Sequence, residues 1–220
     1  MVYFDKNGKM VTGWQKISGH WYYFDKKGVR QDDTMVYGIS FDKNGIATKA
    51  GFGGPNGKNG AANVTDAMIE MIKMAQTRDI NTNPSRWYAF TDKDHCQAGF
   101  FHYEGGAWAL QLYCPVSVGA WYQGRSKTPT GRYVINDKLY RMTHFTSFYY
   151  VSWTSAGVGY HTPLYSINLH SVSASTKPVD PVIGGSGGHR SNGCMRLHYA
   201  NAVWQYNKLP KGTWVWMYGK

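Results

Sequence analysis

A cysteine set among glycine, small polar residues and arginines is the first place in this sequence to look for chemistry. Cys194 lies in Arg190-Ser191-Asn192-Gly193-Cys194-Met195-Arg196-Leu197. A thiol attacks as its thiolate, and nearby positive charge lowers its pKa. Arg190 and Arg196 are close in sequence, and no acid follows Asp180. Gly193 lets the backbone turn tightly and approach a substrate. The successive amides at Gly193 and Cys194 can face a developing oxyanion. A buried structural thiol is the bland alternative, and the polar, Gly-rich surroundings argue against it. The chain has three cysteines, so one stays unpaired unless it bridges to another chain. Cys96 and Cys114 flank a two-strand segment and can pair, although two simple buried thiols are the preferred reading. Cys194 is then the one left for chemistry.

Such a nucleophile needs a base, usually a histidine. The candidates are His144, His161, His170, His189 and His198. His170 follows Tyr165-Ser166-Ile167-Asn168-Leu169, which reads as a strand, and precedes the polar run from Ser171 to Thr176. It therefore stands where a rigid element meets a loop. His189 is nearer in sequence but rests in a Gly-rich loop. Spacing alone does not choose between them. Other chemistries fare worse. Gly-x-Ser-x-Gly around Ser186 imitates a serine-hydrolase elbow, but no later acid and no following helix support it. His189, Cys194 and His198 match no standard zinc spacing, so neither a metal nor a cofactor is expected. A glycosidase usually needs two opposed carboxylates, and from Gly105 onward only Asp137 and Asp180 are available.

The elements that must position these residues fall into three zones. Residues 1–49 are repetitive: Tyr3-Phe4-Asp5-Lys6-Asn7-Gly8 returns as Tyr23-Phe24-Asp25-Lys26-Lys27-Gly28. It returns again, degraded, as Ser40-Phe41-Asp42-Lys43-Asn44-Gly45. Aromatic alternation followed by Asp-Lys-x-Gly predicts a β-hairpin in each unit, and short repeats stack because none buries its face alone. Residues 50–80 hold a Gly-rich linker and then a helix from about Ala62 to Thr77. There Val64, Met68, Met71, Ile72 and Ala75 recur at helical spacing, with Thr65 or Asn63 as the cap. Residues 81–220 read as a mostly antiparallel β domain. Strands are expected around Trp87–Phe90, Trp108–Leu112, Arg132–Ile135 and Thr213–Met217, with one helix near His198 to Tyr206. The aromatic run from Phe148 to Trp153 can form a lid, but core packing is preferred.

Charge and composition narrow the partners. The formal net charge is +11, and from Gly105 to Lys220 eleven Lys and Arg face two acids. Such a surface favours polyanions. The cations are scattered singly, without a cluster or a recognisable binding motif, so nucleic acid is not the expected partner. No apolar run reaches the roughly 18 residues that span a bilayer. Met1 runs straight into Val2-Tyr3-Phe4-Asp5, the middle of a repeat, so the absence of a leader says nothing about secretion.

Two resemblances sharpen this picture. The segment Gly13-Trp14-Gln15-Lys16-Ile17-Ser18-Gly19-His20-Trp21-Tyr22-Tyr23-Phe24 resembles the cell-wall-binding, choline-binding-type repeat of Gram-positive surface proteins. The resemblance implies that Trp14, Trp21 and Tyr23 hold choline or wall polymer by stacking and cation–π attraction; filling the space between hairpins is the competing reading. Residues 81–220 resemble the L,D-transpeptidase catalytic domain through three stretches in order. These are Thr128-Pro129-Thr130-Gly131 with its following strand, His170-Ser171, and Ser191-Asn192-Gly193-Cys194-Met195-Arg196-Leu197. The implied fold is a mainly β, sandwich-type catalytic domain. The implied chemistry makes Cys194 the nucleophile and His170 its base, with the Ser171 carbonyl orienting the imidazole. Asn192, Gly193 and Cys194 would supply oxyanion amides, Arg196 would meet a donor carboxylate, and Ser191 belongs to the same motif. Expected partners are peptidoglycan stem peptides, in an extracellular, cell-wall setting. Two departures stand out. The family's histidine two residues before the cysteine is Asn192 here, and His170 to Cys194 spans 24 residues, longer than usual. An L,D-carboxypeptidase using the same site and a non-catalytic wall-binding protein are the alternatives.

Overall fold

The computed structural model describes residues 1–50, 62–141, 148–152, 158–161 and 189–220. It begins with the repeats, whose turns share one geometry. In each, the aspartate Oδ1 accepts two backbone N–H groups: Asp5 from Asn7 and Lys9, Asp25 from Lys27 and Val29, Asp42 from Asn44 and Ile46. Each turn closes on a left-handed glycine, Gly8, Gly28 or Gly45, at φ 72–75°, a conformation that disfavours a Cβ. Strands β1 (Gly13–Ile17) and β2 (His20–Phe24) form an antiparallel hairpin. Strands β3 (Met35–Val36), β4 (Ile39–Phe41), β5 (Ala47–Ala50) and β6 (Ala62–Asn63) form a four-stranded antiparallel sheet in chain order.

Helix α1 spans Asp66–Gln76. Thr65 caps it, its Oγ1 accepting the Met68 N–H at 3.2 Å, which satisfies one of the orphan donors of the first turn. Met68, Ile69, Met71, Ile72 and Ala75 are fully buried on one face. Burial of each large apolar side chain stabilises the fold by about 1.5–3 kcal/mol.

That face packs on a five-stranded sheet. Its strands are β7 (Trp87–Asp92), β8 (Gln97–Glu104), β9 (Ala107–Pro115), β13 (Gly131–Val134) and β19 (Trp214–Tyr218), in the order β13-β19-β7-β8-β9. All pairs are antiparallel except β19 with β7. Side chains alternate across the sheet, so its two faces build two cores. Tyr88, Phe90, Phe101, Leu110 and Tyr113 pack with α1 and the repeats. Ala89, Ala98, Phe100, Leu112, Val215 and Met217 pack on the opposite side with Tyr160, Met195, Leu197, Ala202 and Trp204. That opposite side is covered by β14 (Asp137–Arg141), β15 (Phe148–Ser152), β16 (Gly159–His161) and β18 (Met195–Arg196), which form one sheet in that order, and by α2 (Tyr199–Lys208). The molecule is thus mainly β and layered, as the sequence predicts. The segment considered as a lid begins as β15, hydrogen-bonded between β14 and β16. Two short pairs complete the framework: the hairpin β11 (Trp121–Tyr122) with β12 (Arg125–Ser126), and the parallel pair β10 (Val118–Gly119) with β17 (His189–Ser191). Among the described residues no helix is long and apolar enough to cross a membrane.

Candidate active site

Two parallel strand pairings position the cysteine loop. Before the loop, β17 pairs with β10, setting Ser191 opposite Gly119. After it, β18 pairs with β16, setting Met195 opposite Tyr160. Residues 192–194 cross from one pairing to the other and are held at both ends.

Inside the loop, Ser191 and Thr128 act as fasteners. The buried Ser191 Oγ donates to the Cys194 carbonyl at 2.5 Å and accepts the Gly193 N–H at 3.0 Å. Thr128, wholly buried, donates through Oγ1 to the Gly193 carbonyl at 2.7 Å and accepts the Gly119 N–H at 2.7 Å. One hydroxyl therefore ties the Thr-Pro turn, β10 and the cysteine loop together. Gly119 has no room for a side chain, because a Cβ would lie 2.4 Å from the Thr128 nitrogen. Gly193 has φ +138°, in a region that is strained for other residues. The bridging role of Thr128 and the packing of Gly119 were not visible in the sequence. The Thr-Pro motif marked the position but not its partners.

Cys194 is partly buried and in no disulfide, and it lies beside the Gly159 backbone and Arg196. Burial pushes the thiol above its ordinary pKa, while a backbone hydrogen bond from Gly159 and the Arg196 charge pull it down by less. The lowering by nearby positive charge that the sequence suggests is present at Arg196, but burial exceeds it. Removing the charged form from water outweighs one partly screened cation. Cys96 and Cys114 are both free and buried. Burial raises the Cys96 thiol to about 11 and the Cys114 thiol further still, so both are inert packing groups.

The remaining predicted residues are placed as follows. Asn192 is exposed at the mouth of a cleft of about 690 Å³. Arg196 is partly buried, and its backbone exchanges hydrogen bonds with Ser117 at 2.9 and 3.0 Å. His198 stands at the N-cap of α2 without a side-chain capping bond. His144, His170, Ser171 and Ser186 lie outside the described residues. Among the described residues, no three His, Cys, Asp or Glu side chains gather in a way that could hold a metal.

The repeat aromatics are engaged internally. Trp14 stacks on Phe41 with 5.7 Å between ring centroids and meets Tyr23 edge-on at 5.2 Å. The Tyr23 hydroxyl is 2.9 Å from that of Tyr37. Trp21 donates its indole N–H to Asp66 at 2.8 Å, and the Lys73 ammonium lies 5.2 Å from its ring centroid. An ammonium of the protein itself thus stands over Trp21, the position that the resemblance would give to choline.

Two family models match parts of this chain. Residues 86–217 match the family model described as the L,D-transpeptidase catalytic domain, and residues 1–30 match a choline-binding repeat. A search of curated protein sequences gives no match. Among solved structures, a fused Zn-dependent amidase/peptidase/peptidoglycan-binding domain-containing protein from Clostridium acetobutylicum is 23% identical, with TM-score 0.49, over 68% of this chain and 58% of that one. An L,D-transpeptidase from Mycobacterium smegmatis is 18% identical, with TM-score 0.44, over 61% and 59%. One from Stackebrandtia nassauensis is 17% identical, with TM-score 0.43, over 71% and 68%. The chain therefore spans less than two thirds of the length of the first two.

Proposed function

This chain belongs to the L,D-transpeptidase catalytic-domain family over residues 86–217, and on that premise we propose that it cross-links peptidoglycan through a thioester on Cys194. The observation that carries the reading is the loop itself. A partly buried cysteine is clamped between two parallel strand pairings by Ser191 and Thr128, beside a cleft. A nucleophile held this rigidly has little orientational freedom to lose on reaction.

In the proposed mechanism His170 takes the proton from the Cys194 Sγ. The family resemblance assigns the Ser171 carbonyl to its other ring nitrogen, which fixes the tautomer. The thiolate attacks the carbonyl carbon of the third residue of a tetrapeptide stem. The oxyanion is stabilised by the amides of Asn192 and Cys194, since the Gly193 N–H donates to Ser191. The tetrahedral intermediate collapses, the C–N bond breaks, and His170 returns the proton to the departing D-alanine amine. The amine of a second stem then attacks the thioester, transfers its proton to His170 and restores the thiol, leaving a 3→3 cross-link. Arg196 is assigned to a donor carboxylate. In this reading residues 1–49 are wall-binding repeats, 50–80 the connection and 81–220 the catalytic unit. The setting is the cell wall, with choline or wall polymer as the partner of the repeats. Trp14, Trp21 and Tyr23 serve that unit by packing it.

Intact mass after incubation with a disaccharide-tetrapeptide tests the proposal. The wild type should gain an acyl adduct and yield cross-linked dimers, and Cys194→Ala and His170→Ala should do neither. Tripeptide and free D-alanine without dimers would make the protein an L,D-carboxypeptidase. A folded wild type with no adduct would leave only the wall-binding reading.

A further inference from the structure

Beside the cysteine loop, the cleft of about 690 Å³ has an unusual lining. It presents four cationic side chains, Lys93, Arg125, Lys127 and Lys220, and among the described residues no Asp or Glu side chain. Lys93 is the telling one. It is only 1% exposed, and a buried ammonium is costly unless something compensates its charge. Its Nζ donates to the Thr128 carbonyl at 3.2 Å and to the Thr130 Oγ1 at 2.6 Å. Both acceptors are neutral, and the third N–H has no protein partner among the described residues. Asp94, the next residue, accepts the Lys220 backbone N–H at 2.9 Å, and its charge offsets only part of the cost of burying the Lys93 ammonium. Burial accordingly pulls the Lys93 pKa below its ordinary value.

The site is built rather than incidental. Arg125 and Lys127 sit on and just after the hairpin β11–β12. Its tip, Gln123-Gly124, has positive φ at both residues (50° and 76°), as a tight two-residue hairpin turn requires. Ser126 anchors the hairpin by donating to the Gly119 carbonyl at 2.8 Å. The Thr128 whose carbonyl receives the Lys93 proton is the same residue whose hydroxyl holds the cysteine loop. Asn192, two residues before the nucleophile, lines the same space. The backbone that carries Arg125 and Lys127 is therefore tied to the cysteine loop.

We infer that this cleft is a carboxylate subsite, in which Lys93, Arg125 and Lys127 hold a free carboxylate of the stem peptide while another part of that peptide reaches Cys194. The inference rests on the stem-peptide reading above and adds a recognition element to it. The anion offsets the rest of the cost of burying the Lys93 ammonium, and its place beside the loop bears on which carbonyl meets the thiol. A charge-assisted hydrogen bond in a desolvated site is stronger than a neutral one.

The test is calorimetric titration of the full chain carrying Cys194→Ala with a disaccharide-tetrapeptide. The peptide is used as the free acid and with its carboxylates converted to carboxamides. The acid should bind about ten-fold or more tightly than the amide, and added salt should narrow the gap. The gap should close in Lys93→Gln and, at the exposed rim where folding is not at stake, in Arg125→Gln/Lys127→Gln. Equal affinity of acid and amide, or a gap that survives the rim substitutions, overturns the inference. So does preferential binding of a glycerol-phosphate oligomer over the peptide acid. Mass spectrometry of wild type separates the two readings. Adducts with both peptides alongside equal affinities would remove the subsite and leave the acyl transfer. No adduct with either would remove the acyl transfer, and with it the substrate this subsite is assigned to.

Discussion

Cys194 is subject to opposed influences, and burial wins over the Gly159 hydrogen bond and the Arg196 charge. At neutral pH it therefore carries less thiolate than a free cysteine, whose pKa is about 8.5. The consequence for reactivity has a definite sign. Alkylation by iodoacetamide should be slower at pH 7 than for a free cysteine, and its rate should still be rising above pH 8.5. Measuring alkylation of Cys194 by peptide mass mapping from pH 6 to 10 checks this. A rate already flat at pH 7 would mean a thiolate stabilised by an imidazolium rather than a buried thiol. In the proposed mechanism this raised pKa gives His170 its task, because the resting thiol has to lose its proton to attack.

At the scale of elements, the repeats and α1 belong to the same packing unit as the central sheet. Gly38 makes the closest approach. Its φ is +81°, and a Cβ there would stand 2.2 Å from the Leu110 carbonyl oxygen in β9. Beside it the Leu110 N–H donates to the Tyr37 carbonyl at 2.9 Å. Lys16 and Trp21 reach Asp66 at the first turn of α1, where a carboxylate also favours the helix dipole. Gly38→Ala should push the β3–β4 turn off β9. Hydrogen exchange should then rise at the Leu110 amide and along β3–β5, while the amides of β19 stay protected. Unchanged protection at Leu110 would show that the contact tolerates a side chain.

For the whole molecule, a net charge of +11 is the dominant long-range term. Its sign suits an anionic wall, and the Debye length of about 8 Å at physiological ionic strength limits its reach. Binding to purified cell-wall sacculi, followed by co-sedimentation, should weaken as NaCl rises from 50 to about 500 mM, where the screening length falls to a few ångströms. Salt-independent retention would assign the binding to stacking by the repeats instead.

Residue chemistry and local pattern were legible without coordinates. The Asp-Lys-x-Gly turns, the α1 stripe capped by Thr65, the strands β7, β9, β13 and β19, and the reading of Cys96 and Cys114 as buried thiols all follow from side-chain type and near spacing. Those are properties a few residues carry by themselves. Other features needed the tertiary structure, because each depends on residues distant in sequence. Thr128 meets Gly193 across 65 positions, and β16 beside β18 brings Gly159 to the thiol. Burial then reversed the expected direction of the Cys194 shift, since desolvation depends on the surrounding fold and not on neighbouring arginines. The same holds for Lys93, one lysine among many in the sequence. The folded chain buries it against the Thr128 carbonyl and the Thr130 hydroxyl, on the cleft that Asn192 also lines.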